Sequence, residues 1–360
     1  MRIVVLSCSV PDSKHSYNDD WLDAFLALEH KKPGIRVLHH NLLQYSRTRL
    51  VADLLTADGV IALHSTNSNE FAFSPLLISI LRWRRGKLVV FVGNEFKLIP
   101  DKIKLLKQLK ADFVASQLPQ DTADWLYEGG RYQVVSVPHA LNLEIFQKRR
   151  NRKDRPLDIG VRAARYPLYL GDRDRIGTIA FFGSDQPELR NFKRDISLDA
   201  NQRYTREGWS DFLNSARFTV STEAGTSFLE RDDRTRVAVN AYMNLKPDAT
   251  FEEVFERFFA GYSNPISGKA ISSRHFDAIG CHTAQLLMRG RYNDLLIEDR
   301  HYFGFDRTIV DRPQELRELL DRMRDEQEVS RMCERAFEEV GVKNTHGHRV
   351  DFLLEKIGLN

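Results

Sequence analysis

RIVVLSCSVPDSKHSYNDDWLDAFLALEH, residues 2–30, decides how this chain is read. It opens on a short, nearly unbroken apolar run, RIVVLSCS, the pattern of a strand buried on both faces. It closes on DDWLDAFLALEH, whose apolar residues recur at helical spacing. Strand, polar loop and amphipathic helix make half of a βαβ unit, and the alternation continues to residue 150. IRVLHHN, ADGVIALH, KLVVFVGN, ADFVASQ and YQVVSVPHA are the further strand candidates, with LLISILRWRRG, IPDKIKLLKQL and PQDTADWLYEGG as helices between them. The pattern predicts an α/β fold with a doubly wound parallel sheet, which binds its ligands beyond the carboxyl ends of the strands.

A charged stretch, QKRRNRKDRP at 147–156, interrupts the alternation and reads as a solvated hinge. Beyond it LDIGVRA, GTIAFFGS, ARFTVSTE, AQLLMRG and YFGFD read as strands, and GWSDFLNSA, TFEEVFERFFAGY, RHFDAIGCHTA and PQELRELLDRMR as helices. From Pro313 onward the pattern is almost wholly helical. A length of 360 residues suits two domains. The expected division is a Rossmann-like domain over 1–150 and a second over 151–340, with a cleft between facing strand ends.

Composition narrows the function. Charged residues make up 29% of the chain but the net charge is only +3, which suits a mixed, ion-paired surface better than a dedicated nucleic-acid binder. Arg-rich stretches remain compatible with anionic small molecules and with peripheral contact at membrane phosphates. Cys8, Cys281 and Cys333 are odd in number and lack CxxC or Cys/His ligand spacing, so neither a disulfide framework nor a structural zinc is expected. The first apolar run is too short for a signal peptide, and no stretch approaches the roughly 20 apolar residues of a membrane span. The chain is therefore expected in the cytoplasm.

Two stretches carry the chemistry. ISSRHFDAIGCHTAQLL, 271–287, reads as a loop turning into a helix over 274–285. Unpaired N–H groups at such a helix start, together with the dipole, make a site for an anion such as diphosphate. Arg274 adds a fixed fork of donors, His275 stands beside it, and Asp277 can accept from paired hydroxyls, as on a ribose. A plainer alternative has Ser272 or Ser273 capping the helix and Asp277 complementing its dipole. FTVSTEAGTSFLE, 218–230, is a strand entering a small-residue loop with Glu223, Gly225, Thr226 and Ser227, where a ligand can approach the backbone closely.

STEAG followed by FDAIG resembles the paired acidic motif of the group 1 glycosyltransferases, which have the two-domain GT-B fold. VFVGNEFK, VPHALNLEIF, LDIGVRAARYPLYLGD and ISSRHFDAIGCHTAQLLMRGRYNDLLIEDRHYFGF extend the resemblance to bacterial glycosyltransferase-like proteins of surface-polysaccharide clusters. The resemblance implies that Glu223 faces the transferred sugar and Asp277 the nucleotide ribose. Here the two acids are separated by a long insertion and the second is Asp in place of Glu.

Further expectations follow from the same resemblance. Arg162, Arg165 and Arg274 would hold the diphosphate of a nucleotide diphosphate sugar, since such enzymes stabilise the leaving group with cations and helix starts and without a metal. His301 and Tyr302 would line the cleft, Tyr302 being equally placed to pack in the core. If the reaction inverts the anomeric centre, His15, Asp19, Asp20 or His139 is the candidate general base; if it retains, as the paired acidic motif would imply, no such base is required. The tail THGHRVDFLLEKI, within 341–360, would form a helix packing back on the first domain. The implied partners are a nucleotide diphosphate sugar and a glycan or lipid-linked saccharide acceptor, with no cofactor and no nucleic acid. A hexosyltransferase-like enzyme of surface-polysaccharide synthesis is the implied function, and a non-catalytic sugar-nucleotide or glycan binder on the same fold is the rival. Asp-x-Asp in GDRDR and the two imidazoles of HGH are weak metal candidates, and GTIAFFGSD lacks the GxGxxG order of a nicotinamide site.

Overall fold

The computed structural model describes residues 1–10, 16–263 and 266–359. Six parallel strands form the first sheet: β1 (Arg2–Ser7), β2 (Arg36–Asn41), β3 (Gly59–Ala62), β4 (Lys87–Phe91), β5 (Phe113–Ser116) and β6 (Gln133–Ser136), in the order β2-β1-β3-β4-β5-β6. The connecting helices are α1 (Ser16–Leu26), α2 (Leu28–Lys31), α3 (Arg47–Thr56), α4 (Pro75–Arg82), α5 (Ile99–Leu109) and α6 (Gln120–Leu126). Ile3, Val4, Val5 and Leu6 of β1 are all fully buried, because helices cover both faces of a parallel sheet. Leucines of α3, α4 and α5 pack on one face, and Trp21 and Phe25 of α1 on the other.

The second sheet has five parallel strands, β7 (Leu157–Arg162), β8 (Arg194–Ser197), β9 (Ala216–Ser221), β12 (Ala284–Met288) and β13 (Phe303–Phe305), in the order β13-β12-β9-β7-β8. Between β9 and β12 an antiparallel ribbon, β10 (Ala224–Thr226) with β11 (Gly268–Ala270), stands apart from the sheet. Helices α7 (Arg173–Gly183), α8 (Arg206–Ser215), α9 (Arg234–Leu245), α10 (Phe251–Phe258), α11 (Ser273–Gly280), α12 (Pro313–Arg322), α13 (Glu326–Arg335) and α14 (His346–Lys356) complete the chain. The long insertion between the two acids is α9 and α10, closed around Val239, Val254 and Phe259. Val350, Leu353, Leu354 and Ile357 of α14 lie in the core with Ile3, Val5 and Trp21, so this helix packs on the first sheet.

Three readings are corrected. GTIAFFGS is the second half of α7, whose start is set by Gly171 at φ +59° and by Asp172, the side chain of which accepts from the N–H of Arg175. A short apolar run does not by itself separate strand from helix. The helix expected over 274–285 ends at Gly280, because His282 adopts a left-handed φ of 49° before β12. The charged stretch 147–156 is tied down: Arg155 is 4% exposed and donates to the carbonyls of Ala216 and Cys281. Arg152 bridges to Glu326 at 3.0 Å.

Candidate functional site

The carboxyl ends of both sheets face a cleft of about 580 Å³. Cys8 and Ser9 after β1, Ser65 and Ser68 after β3, Asn94 and Glu95 after β4, and Gln117 after β5 form one wall. Arg162 at the end of β7, Tyr204 and Trp209 around α8, Ala224 and Gly225 of β10, and the start of α11 form the other. Side-chain contacts clasp the walls together. Arg206 on α8 donates to Asp20 at 3.1 Å and Asp23 at 2.7 Å on α1, Arg291 to Asp121 at 2.8 Å, and Asn293 to the carbonyl of Gln117 at 3.0 Å.

The start of α11 is built from its own sequence. The N–H of Ser272 donates to Nδ1 of His275 at 3.0 Å while the N–H of His275 donates back to the carbonyl of Ser272, a reciprocal cap that fixes the first turn. His275 is fully buried and packs edge-on against Tyr292. Burial, reinforced by Arg274, pushes its imidazole down to about 3, so it is neutral. It therefore supports the helix start from behind and does not face the cleft, contrary to its assignment to substrate.

Arg274 projects from this first turn into the cleft, and its guanidinium has no hydrogen-bond or ion-pair partner among the described residues. Behind it Arg175 is 2% exposed, stacks on Tyr166 at 3.9 Å, and leaves Nε and Nη1 without hydrogen-bond partners. Burial, with Arg274 nearby, lowers Arg175 to about 10. Two guanidiniums this close, unneutralised by a bonded carboxylate, make this wall electropositive. Arg175 was missed in the sequence. Its signal was a cation in the first turn of a helix, which runs against the macrodipole.

Asp277 lines the cleft although it is 1% exposed, and Oδ2 accepts from the indole N–H of Trp209 at 3.0 Å. Burial, and Asp20 next to it, raise its carboxyl well above the usual range, opposed by Trp209 and Arg274. Arg162 also lines the cleft but is engaged, donating to Asp195 at 2.7 Å and stacking on Phe212 at 4.4 Å. Gly225 has φ +95°, and a Cβ there would stand 2.1 Å from the carbonyl oxygen of Gly268. Only glycine fits this close crossing of the ribbon.

On the first wall, His139 is 6% exposed and stacked on His64 at 5.6 Å. Burial lowers it to about 4, which leaves a neutral but weakly basic imidazole. Asp19 is half-buried at the rim in the first turn of α1, its pKa raised by burial against the pull of Arg206. Asp20 is buried, accepts from Asn142 at 2.7 Å, and is raised to about 6 by burial against that bond and Arg206. His15 lies outside the described residues.

The structure therefore gathers His139, Asp19, Arg162, Gly225, Arg274 and Asp277 on the cleft wall. The remaining residues are placed elsewhere. Glu223 turns away, its carboxylate accepting from the N–H of Tyr292 at 2.7 Å. Thr226 donates to the carbonyl of Leu170 at 3.1 Å, while Ser227 lies past the ribbon and Arg165 projects to solvent. His301 is 5% exposed with Nε2 at 3.0 Å from Glu339, and Tyr302 packs in the core beside Tyr292. In each case a hydrogen-bond or packing partner inside the second domain holds the side chain off the wall, except for Arg165 and Ser227. Among the described residues no cluster of His, Cys, Asp or Glu is arranged to hold a metal, and no helix is long and apolar enough to cross a membrane.

Two Rossmann-like domains with parallel sheets facing an interdomain cleft form the GT-B architecture. The chain is similar to a glycosyltransferase from Rickettsia africae at 11% identity and a TM-score of 0.52, over 99% of this chain and 97% of that one. It is also similar to the UDP-forming α,α-trehalose-phosphate synthase of Burkholderia xenovorans, solved with glucose-6-phosphate, at 10% identity and a TM-score of 0.50, over 99% and 100% of the two chains. At these identities the likeness is one of fold. No protein-family profile matches the sequence, and no curated protein matches it.

Proposed function

We propose that this chain is a glycosyltransferase that takes a nucleotide diphosphate sugar into the cleft and transfers the sugar to a glycan or lipid-linked saccharide in surface-polysaccharide synthesis. The observation that carries this reading is the start of α11, where the guanidinium of Arg274, unpartnered among the described residues, projects into the cleft on a wall that Arg175 makes still more positive. A diphosphate neutralises that wall, and as it departs its growing charge is what these donors stabilise. Asp277 stands where a ribose attached to that diphosphate would follow, and Arg162 closes the side of the site. Asp19, the half-exposed carboxylate of the facing wall, is the group suited to take a proton from an acceptor hydroxyl. In this reading residues 1–150 and 341–360 serve the acceptor side and 151–340 the donor side. The similar structures, one named a glycosyltransferase and one UDP-forming, agree with it.

The experiment is a titration with UDP, GDP, ADP and CMP, followed by thermal unfolding. Selective stabilisation by one nucleoside diphosphate, lost in Arg274→Ala and weakened in Asp277→Ala, supports the donor site, and no stabilisation by any nucleotide overturns it. One observation favours a second reading, a sugar-nucleotide binder without turnover: Glu223 is turned to the Tyr292 backbone and off the wall. Release of free nucleotide when acceptor extract is supplied separates the two, because a binder releases none.

A further inference from the structure

The helices covering one face of the first sheet have an outer surface that the fold does not use. Leu50 and Leu54 of α3, Leu77 and Leu81 of α4, and Leu105 and Leu109 of α5 all point inward to one core. Outward, α4 exposes Leu76 at 50% and the residue after it, Trp83, at 80%, while Leu55 at the end of α3 is 52% exposed. A tryptophan left 80% exposed adds little to the packing of its own domain, and several large apolar side chains on one face mark a contact surface.

The charge around them identifies the contact. From Pro75 to Lys110 the sequence carries nine Lys and Arg against two Asp and Glu, in a chain whose net charge is only +3. Arg84 and Arg85 pair with Asp112 and Asp58, but Arg82, Lys104, Lys107 and Lys110 are exposed and form no ion pair among the described residues. Backbone contacts bring these groups together. Arg84 donates to the carbonyls of Leu109 and Lys110, and the N–H of Arg85 to the carbonyl of Leu54. The end of α4, with Trp83, is thus seated between the ends of α3 and α5. A second copy of the chain would set these cations against their own kind, whereas an anionic bilayer offers phosphates for the cations and an interfacial layer for the indole.

We propose that the outer face of α3, α4 and α5 docks on an anionic lipid bilayer, with Trp83 and Leu76 entering the headgroup layer and Arg82, Lys104, Lys107 and Lys110 lying on phosphates. Most of this patch lies at the end of the first sheet away from the cleft: Arg84 and Arg85, beside Trp83, pair with Asp112 and Asp58, which precede β5 and β3, whereas the cleft lies at the carboxyl ends of the strands. The inference does not rest on the transferase reading, and either can fail alone.

The test is flotation of the full chain with vesicles of phosphatidylglycerol and phosphatidylcholine in equal parts, and with phosphatidylcholine alone. Binding to the mixed vesicles only, weakening as salt rises, is expected. Lys104→Glu with Lys107→Glu should weaken it by about fivefold or more for each cation lost, and Trp83→Ser by on the order of tenfold. These positions are solvated, so unfolding midpoints and nucleotide binding should match the parent protein. Brominated lipid should quench part of the parent's tryptophan fluorescence and none of that part in Trp83→Ser. Equal binding to neutral vesicles, no binding to either, or an unquenched Trp83 overturns the proposal. So does loss of binding in the lysine variants with none in Trp83→Ser and equal affinity for duplex DNA, which would make the face a general polyanion surface.

Discussion

On the first-domain wall of the cleft Lys102 and Glu95 are buried and fully engaged, whereas on the facing wall Arg274 and Arg175 are not. Lys102 donates to the carbonyls of Gly93 and Asn94, and burial pulls its ammonium down to about 7 even with Glu95 nearby. Glu95 accepts from Ser116 and Tyr127 at 2.7 Å and from the N–H of Gln117 at 2.8 Å. These bonds hold the loop after β4 in shape. Arg274 and Arg175 make no comparable bonds among the described residues, and a buried cation kept without one is a cost to stability unless a ligand offsets it. Glu95 and Lys102 thus maintain the fold, while Arg274 and Arg175 add little to it through hydrogen bonds and fit the anion site proposed above.

Changes that separate the two walls test this contrast. The largest expected effect is on the first wall: Glu95→Ala leaves the Tyr127 and Ser116 hydroxyl protons and the N–H of Gln117 without their acceptor, and should lower unfolding free energy by about 3–5 kcal/mol in denaturant titration. Arg274→Ala should do the reverse, leaving that free energy unchanged while weakening nucleoside diphosphate binding by about 1.5–3 kcal/mol in calorimetry. If Arg274→Ala destabilises the protein as much as it weakens binding, the contrast fails.

Acid should act through buried imidazoles and buried carboxyls, in opposite directions. Burial holds His139 at about 4 and His275 and His346 at about 3. Below an unfolded value of about 6.5, the unfolded chain takes up protons that the fold refuses. Their contribution is complete above about pH 6.5 and is lost as pH falls toward these folded values, by on the order of 1.4 kcal/mol per unit for each. Asp20, raised to about 6, opposes them: its contribution is present below an unfolded value of about 3.9 and is lost as pH rises through 6. Asp277, Asp19, Glu95 and Glu223, likewise raised by burial, act with Asp20, and His64 acts with the three imidazoles, so the two sets offset one another between pH 6.5 and 4. His346→Gln removes one imidazole and should shift the slope of unfolding free energy against pH by about one proton toward greater stability in acid. The smallest effect belongs to the clasp at the cleft mouth. Arg291→Ala, which removes the exposed pair with Asp121, should change stability by less than about 1 kcal/mol.

Much of the fold was legible because parallel strands buried on both faces leave continuous apolar runs, as in β1, β4 and β12. β8 was not, since RDIS is only half-buried and carries no such run. α10 was legible as TFEEVFERFFAGY, whereas α9, in the same insertion, was not, because only Val239 in it is buried and packing therefore writes no apolar stripe into its sequence. In the site, Arg274 and Asp277 were legible from their place at a helix start. The direction of Glu223 was not, because it is fixed by a backbone N–H at Tyr292, far along the chain. Nor was the supporting role of His275, since a cap and a ligand contact look the same in a list of residues.

The packing of α14 on the first sheet has a consequence for synthesis. Val350, Leu353 and Ile357 belong to the core around β1, yet the ribosome makes them only after the whole second domain. The first domain therefore emerges early with one apolar face uncovered, and stays so while more than half the chain is still being added. Contacts between segments so distant in sequence form slowly, so the nascent first domain passes through a long interval in which chaperones or its own exposed core decide its fate.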